Sequence, residues 1–342
     1  MANILILGAG SMGTAFSFPC SDNGHSVSIV GTHLENDFID KINSTRNHPA
    51  LDCEVQENTK FFKFEQLKEE INKKIDLIVI AVVSKGIEWA SNEISKVLKN
   101  NIPILILTKG LSINNNNLEV LAHKMERLLK KNGMKEVNIS AAGGPCLAKN
   151  LANKAHTAVV FANIDIKIAE KISKLVSTDY YHVSTSDDVV GVETCAAIKN
   201  IFSMAVGASQ GLCDSNKSKE KNYLNTAAAL IQESIYEMII FVEKLKGKKE
   251  TVIGLAGIGD LYVSADGGRN SKMGEYLGQG MTFQEAKKTK MANITVEGAD
   301  LALEIGPKIK SDFDSKKLPL MTSMINTICE EKPLKVDWKN FK

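Results

Sequence analysis

Short runs of valine, isoleucine and leucine punctuate the first half of the chain. They fall at Ile4–Leu7, Val27–Val30, Leu77–Val83, Ile104–Leu107, Val137–Ala142 and Ala158–Phe161, each flanked by polar or turn residues. Unbroken apolar strands separated by helical segments predict a parallel sheet covered on both faces. Strand-like runs fade after about Ser184. From Asp187 the pattern changes, and Val189 to Leu212 is long, apolar and free of proline, which predicts a largely buried helix. Ala227–Leu245 and Thr295–Ile305 continue the helical reading. The expected division is therefore an α/β domain over residues 1–186 and a helical domain over 187–342. Between the helices, Asp214–Lys221 is polar and lysine-rich and reads as a solvated loop.

The length of 342 residues agrees with two domains, at roughly 150 residues each. Forty-two basic against forty acidic residues give a net charge of +2, so no broad basic face is expected and nucleic acid is a poor partner. The longest purely apolar stretches fall well short of the twenty or so residues that cross a bilayer, and no membrane span is expected. Met1-Ala2-Asn3 leads straight into an apolar run without a basic segment, so no secretory leader is expected. The six cysteines (Cys20, Cys53, Cys146, Cys195, Cys213 and Cys329) include no C-x-x-C pair, which argues against a zinc site or disulfide scaffold and suits a reducing cytoplasm. The histidines do not cluster, so no metal site is indicated.

Directly after the first strand stands Gly8-Ala9-Gly10-Ser11-Met12-Gly13, a G-x-G-x-x-G. In a βαβ unit the first glycine permits the tight turn and the second lets the backbone approach a pyrophosphate. The third lets helix and strand pack closely, with the anion at the helix N-terminus. Pro19 falls in the helix that should follow and is expected to kink or shorten it. An Asp or Glu roughly twenty residues on usually grips the ribose 2′-hydroxyl of NAD. Here the second strand ends Val30-Gly31-Thr32-His33, with Glu35 slightly late. With the carboxylate displaced and missing from its usual place, the barrier to a 2′-phosphate is relaxed, so NADP is allowed beside NAD.

Other residues suggest chemistry at an anionic substrate. Lys199-Asn200 sits between Ala196-Ala197-Ile198 and Ile201-Phe202. A lysine there loses hydration, which lowers its pKa and makes it a credible proton donor; the plainer alternative is a snorkelling or structurally paired lysine. Asp260 follows the glycine-rich Gly254–Gly259, and Gly267-Gly268-Arg269-Asn270 precedes a helix expected from Ser271. Arg269 offers a planar fork for a phosphate; the plainer alternatives are a surface charge for Arg269 and a helix N-cap for Asn270. Thr108-Lys109-Gly110 and Gly143-Gly144-Pro145 end strands at the edge where ligands of doubly wound sheets collect, unless both are merely tight turns.

Taken in order, these motifs resemble the NAD(P)-dependent glycerol-3-phosphate dehydrogenases over nearly the full length. They are Gly8-x-Gly10-x-x-Gly13, Thr108-Lys109-Gly110-Leu111, Gly144-Pro145-x-x-Ala148, Gly191-Val192-Glu193 through Lys199-Asn200, Gly254 through Asp260-Leu261, Gly268-Arg269-Asn270 and Val296-Glu297-Gly298. The resemblance implies a Rossmann-type doubly wound α/β domain followed by an all-helical one, with substrate in the cleft between them. It implies hydride transfer between NAD or NADP and dihydroxyacetone phosphate, giving sn-glycerol 3-phosphate. Lys199 would protonate the carbonyl oxygen, Asp260 would orient that lysine, and Lys109, Gly144, Arg269 and Asn270 would hold substrate. The coenzyme side would comprise Gly8, Gly10, Ser11, Met12, Gly13, His33, Lys109, Ala148, Arg269 and Glu297. The helical domain could offer a homodimer surface.

The chain departs from the family pattern at Cys195-Ala196, at Cys146-Leu147-Ala148-Lys149-Asn150 and at Gln232-Glu233-Ser234. None of these departures removes a residue assigned to chemistry. Reduction of another small anionic carbonyl compound, or a non-catalytic dinucleotide-binding redox sensor, are the competing readings.

Overall fold

The computed structural model describes residues 1–98, 101–213 and 223–342; the expected loop Asp214–Lys221 lies outside them. Eight strands form one sheet: β1 (Asn3–Leu7), β2 (Ser26–Val30), β3 (Thr59–Phe62), β4 (Leu77–Ile80), β5 (Ile104–Ile106), β6 (Ile139–Gly143), β7 (Thr157–Ala162) and β8 (Tyr181–Ser186). Their order is β8-β7-β6-β5-β4-β1-β2-β3. β1 pairs in parallel with β2, placing Leu7 opposite Val30, and with β4, placing Leu7 opposite Ile80. The chain builds outward from β1 to β3 and then crosses to β4, so the switch in strand order falls between β1 and β4. Ligands of such sheets collect outside the carboxyl ends of the strands at that switch.

The sheet departs from the all-parallel expectation at one side. β7 runs antiparallel to β6, and β8 follows β7 in parallel. The link from β6 to β7 contains one helix of five residues, Ala148–Ala152. A helix of that length rises only about 7 Å, too little to carry the chain back along a five-residue strand. β3 (Thr-Lys-Phe-Phe) is an edge strand that the apolar pattern missed, because it alternates and contributes few large aliphatics.

The helices of this unit include α1 (Ser11–Asp22), α2 (Asn36–Thr45), α3 (Ile87–Val97), α4 (Leu121–Lys131) and α5 (Ile166–Val176). Phe16 on α1 meets Phe161 of β7 and Tyr181 of β8, with ring centroids 6.4 Å and 6.2 Å apart. Pro19 is buried inside α1 and does not shorten it. Its fixed φ is helical and only one amide donor is lost. The last turn is closed by the amide of Asn23 on Pro19 O at 3.3 Å.

The chain divides into two compact units. One comprises Met1–Lys109 with Val120–Val189, and the other Gly110–Glu119 with Val190–Lys342. The segment Gly110–Glu119 is chiefly a hairpin, Leu111–Asn114 with Asn117–Val120, that periodicity did not announce. Leu111–Asn114 packs on helix Glu297–Asp312 of the same unit.

The second unit contains α6 (Val189–Leu212), α7 (Leu224–Lys244), α8 (Asp260–Ala265), α9 (Arg269–Gly278), α10 (Glu297–Asp312) and α11 (Pro319–Cys329). Helix α6 is long and apolar enough to cross a membrane, but 89% of its most apolar window is buried within the fold, as in the core helix of a globular unit. It is crossed by α9 at glycines on both sides. A Cβ on Gly207 would run into the carbonyl oxygen of Ser271, and one on Gly274 into that of Met204. Gly278 meets Ala208 O in the same way. Backbone thus lies directly on backbone, which side chains of any size forbid.

Gly274→Ala should therefore lower the melting temperature by several degrees, since overpacking costs about 1–3 kcal/mol. A thermal melt followed by circular dichroism checks this; an unchanged midpoint would show that the helices can separate without loss.

Candidate active site

The glycine loop after β1 divides into structural and open positions. Gly8 has φ +110°, and a Cβ there would stand 2.7 Å from Ala81 O. A Cβ on Gly13 would strike Gly8 O. At Gly10 nothing lies within 4 Å of the added atom, so the loop backbone is open to approach there. Gly10 is also the N-cap of α1 and brings no side-chain cap, so the first-turn amides, including those of Ser11 and Met12, keep capacity for an anion. This is the shape that a pyrophosphate requires, and the residues fit a dinucleotide. Downstream, His33 follows β2 with its ring 5.6 Å from that of Trp89, which in turn lies 5.2 Å from Phe64.

Glu35 corrects the expectation of a displaced carboxylate. Its Oε2 accepts from the amide of Thr32 at 2.7 Å and from that of Ala9, inside the glycine loop, at 3.4 Å. The tight turn after β2, closed by Glu35 N on Thr32 O, brings the late residue back to the strand end.

Also in this unit, Lys109 Nζ donates to Gly144 O at 3.4 Å. Thr108 Oγ1 donates to Val82 O at 2.6 Å, tying the carboxyl ends of β4 and β5 together. Gly144 has φ +110° and its Cβ position lies 3.2 Å from Val159 Cα. Ala148 opens the short helix Ala148–Ala152, which packs against α1.

In the helical unit, Lys199 is buried on α6 and its Nζ donates to Asp260 Oδ1 at 2.8 Å. The side chains are only 8% and 3% exposed. A charge so buried is tolerated only with a partner and hydrogen bonds; the carboxylate supplies both, so Lys199 is not a snorkelling surface lysine. Asp260 owes its position to Leu255–Gly259, a wide turn of π type in which Gly259 N reaches Gly254 O at 3.3 Å. The turn needs a glycine at 257, for a Cβ there would hit Val252 O. Such turns frequently mark functional positions. Ser264, one helical turn after Asp260, also hydrogen-bonds Lys199 Nζ through its Oγ. The sequence reading missed it, although an Asp and a Ser four apart on a helix share one face.

The α6–α9 crossing places Asn200 beside Asn270. Asn270 Nδ2 donates to Asn200 Oδ1 at 3.0 Å, and Asn270 Oδ1 accepts from Gly298 N at 2.9 Å. Helix α9 begins at Arg269 rather than Ser271, with Gly268 as its N-cap, so Asn270 is a buried bridge and not a cap. A Cβ on Gly298 would meet Asn200 O. That glycine is what lets α10 start against α6. Arg269 and Glu297, the first residues of α9 and α10, form an ion pair. At 57% and 40% exposure, their heads remain open to solvent and ligand.

A doubly wound sheet with an open glycine loop, in one chain with a helical unit carrying a buried lysine–aspartate pair, defines a dinucleotide-dependent dehydrogenase. The N-terminal family profile described as "NAD-dependent glycerol-3-phosphate dehydrogenase N-terminus" matches residues 3–169, and its C-terminal counterpart matches 188–337. The chain belongs to the NAD-dependent glycerol-3-phosphate dehydrogenase family. It is 32% identical to an NADP(+)-dependent glycerol-3-phosphate dehydrogenase of Archaeoglobus fulgidus, over 90% of this chain and 91% of that one. It is 30% identical to a glycerol-3-phosphate dehydrogenase [NAD(P)+] of Agathobacter rectalis, over 98% and 94%. A crystal structure of glycerol-3-phosphate dehydrogenase from Coxiella burnetii superposes with a TM-score of 0.80 at 26% identity, covering 97% of this chain and 96% of that one.

Gly10→Ala should leave the melting temperature within a few degrees but weaken NADH binding more than tenfold, because the methyl enters open space at the loop. Gly13→Ala should lower the melting temperature instead. Isothermal titration beside thermal melts separates the two, and equal behaviour of both variants would contradict this division of roles. Lys199→Ala should lower kcat by about 10²–10⁴-fold, the usual contribution of a positioned acid, with nucleotide affinity nearly intact. Near-normal turnover in that variant would remove Lys199 from the chemistry.

Proposed function

We propose that this chain catalyses the reversible reduction of dihydroxyacetone phosphate to sn-glycerol 3-phosphate with NADH or NADPH. The observation that carries the reading is the Lys199–Asp260 pair, a buried proton donor fixed in direction within a member of this family. A bound nicotinamide supplies the hydride. Reduction of a ketone builds negative charge on its oxygen, and Lys199 Nζ would deliver a proton there. Asp260 and Ser264 hold that nitrogen in place, which lowers the reorganisation needed as charge develops.

Arg269, paired with Glu297, is the phosphate grip in this reading. Asn270 and Asn200 keep Arg269 and Lys199 in register, and Asn270 retains an amide hydrogen for substrate. Lys109, steadied by Gly144, is a second cation for the anionic substrate. Ser11, Met12 and Ala148 would line the coenzyme, and His33 would lie against its adenosine end. The first unit thus serves the dinucleotide and, through Lys109, the substrate, while the second supplies the phosphate grip and the proton. Binding the phosphate handle contributes orientation as well as affinity. The scattered cysteines, with no C-x-x-C pair, accord with a cytoplasmic site of action.

Nicotinamide absorbance, followed with purified protein, dihydroxyacetone phosphate and each reduced nucleotide in parallel, tests the reading. Oxidation of either nucleotide is expected, and nucleotide binding without any oxidation would refute the assigned substrate. Arg269→Ala should raise KM for dihydroxyacetone phosphate at least tenfold with a smaller change in kcat. An unchanged KM would take the phosphate away from Arg269.

A further inference from the structure

The structure places a carboxylate at one particular point of the coenzyme site. Glu35 Oε2 joins the turn after β2, through Thr32 N, to the glycine loop after β1, through Ala9 N. β1 and β2 are adjacent and parallel, so Glu35 stands between their carboxyl ends. In a doubly wound fold that is where the ribose of the adenosine half lies. Both amides converge on Oε2, and among the described residues no hydrogen bond engages Oε1. The turn and the start of α2, Gly31-Thr32-His33-Leu34-Glu35-Asn36-Asp37, hold two acidic residues and neither lysine nor arginine.

We propose that Glu35 selects NAD(H) over NADP(H) in this protein. This rests on the dehydrogenase reading and goes beyond it, since the names of the relatives span both coenzymes. Oε1 accepts a hydrogen bond from the 2′-hydroxyl of NAD(H). A 2′-phosphate brings further negative charge against the carboxylate, loses that donor, and finds the two nearby amides already taken by Oε2. Like charges in contact are strongly unfavourable where water is partly excluded. The Glu35 side chain is half-buried and tethered at both ends of the gap, so turning away breaks its bond to Thr32.

The test is equilibrium binding of NADH and NADPH to the full chain, read by nucleotide fluorescence or titration calorimetry and independent of turnover. The parent should bind NADH at least tenfold more tightly than NADPH. Glu35→Gln removes the charge and should shrink that ratio about tenfold or more. Glu35→Ala also uncovers the amides of Ala9 and Thr32 and should raise NADPH affinity outright. A parent that binds NADPH as tightly as NADH overturns the proposal without recourse to any variant, as does an unchanged ratio in a folded Glu35→Gln protein that still binds NADH. Competition by 5′-ADP against 2′,5′-ADP on the parent gives a second reading, with 5′-ADP expected to win. Failure to bind either dinucleotide overturns the dehydrogenase reading itself, and this inference with it. Binding with the expected ratio but no oxidation on dihydroxyacetone phosphate sinks only the substrate assignment.

Discussion

An ammonium group sits in the apolar core of the helical unit, and much of that unit is arranged around keeping it there. Lys199 is flanked by Ile198 and Ile201 on a helix almost wholly buried. A lone charge in such surroundings would be driven neutral or outward. Asp260 at 2.8 Å prevents this, but only if α8 approaches α6 at that height. The π turn Leu255–Gly259 sets the approach, and its Gly257 is needed because the Val252 backbone fills the space that a side chain would occupy. The same logic governs α9 and α10. Gly207, Gly274 and Gly298 let both helices touch α6 backbone to backbone, and this closeness brings Asn270 to Asn200. The chemistry of the site is thus carried by polar side chains, and its geometry by residues that have none.

Removing one partner of the buried pair would be more damaging than removing both. An Asp260 left without Lys199 keeps its desolvation penalty and loses its compensation. A drop in activity on mutation there accordingly mixes lost chemistry with local rearrangement, whereas the exposed Arg269–Glu297 pair carries no such burden. Its two side chains are screened by solvent and contribute little to folding. Their value lies in presenting a guanidinium at the start of two helices.

Much of this could be read from the residues alone. All six apolar runs are strands, because a strand covered on both faces of the sheet has few polar positions to disguise it. The glycine fingerprint, Lys199, Asp260 and Arg269 stood out through local spacing, and Glu297 through the family resemblance alone. What escaped depended on distance along the chain or on subtle local geometry. The reversal at β7 follows from the brevity of the preceding connection, and the hairpin Leu111–Asn114 is too short to show a period. Ser264 acquires meaning only once Lys199, far back in sequence, lies beside it. Glu35 looked misplaced by counting residues, since a tight turn shortens the path that a linear offset assumes. Pro19 looked disruptive because propensity overestimates what one missing donor does inside a well-packed helix.

The hairpin Gly110–Glu119 gives the chain an unusual itinerary. Beginning in the sheet unit, it leaves at residue 110, returns at 120 and departs for good near 190. No single cut can therefore release either unit whole. A fragment starting at 190 lacks the strand that packs on α10, and one ending at 189 carries that strand with nothing of its own unit to rest upon. The two halves, though each has a separate core, are not modules that recombination could exchange with one crossover. They are bound to be inherited together.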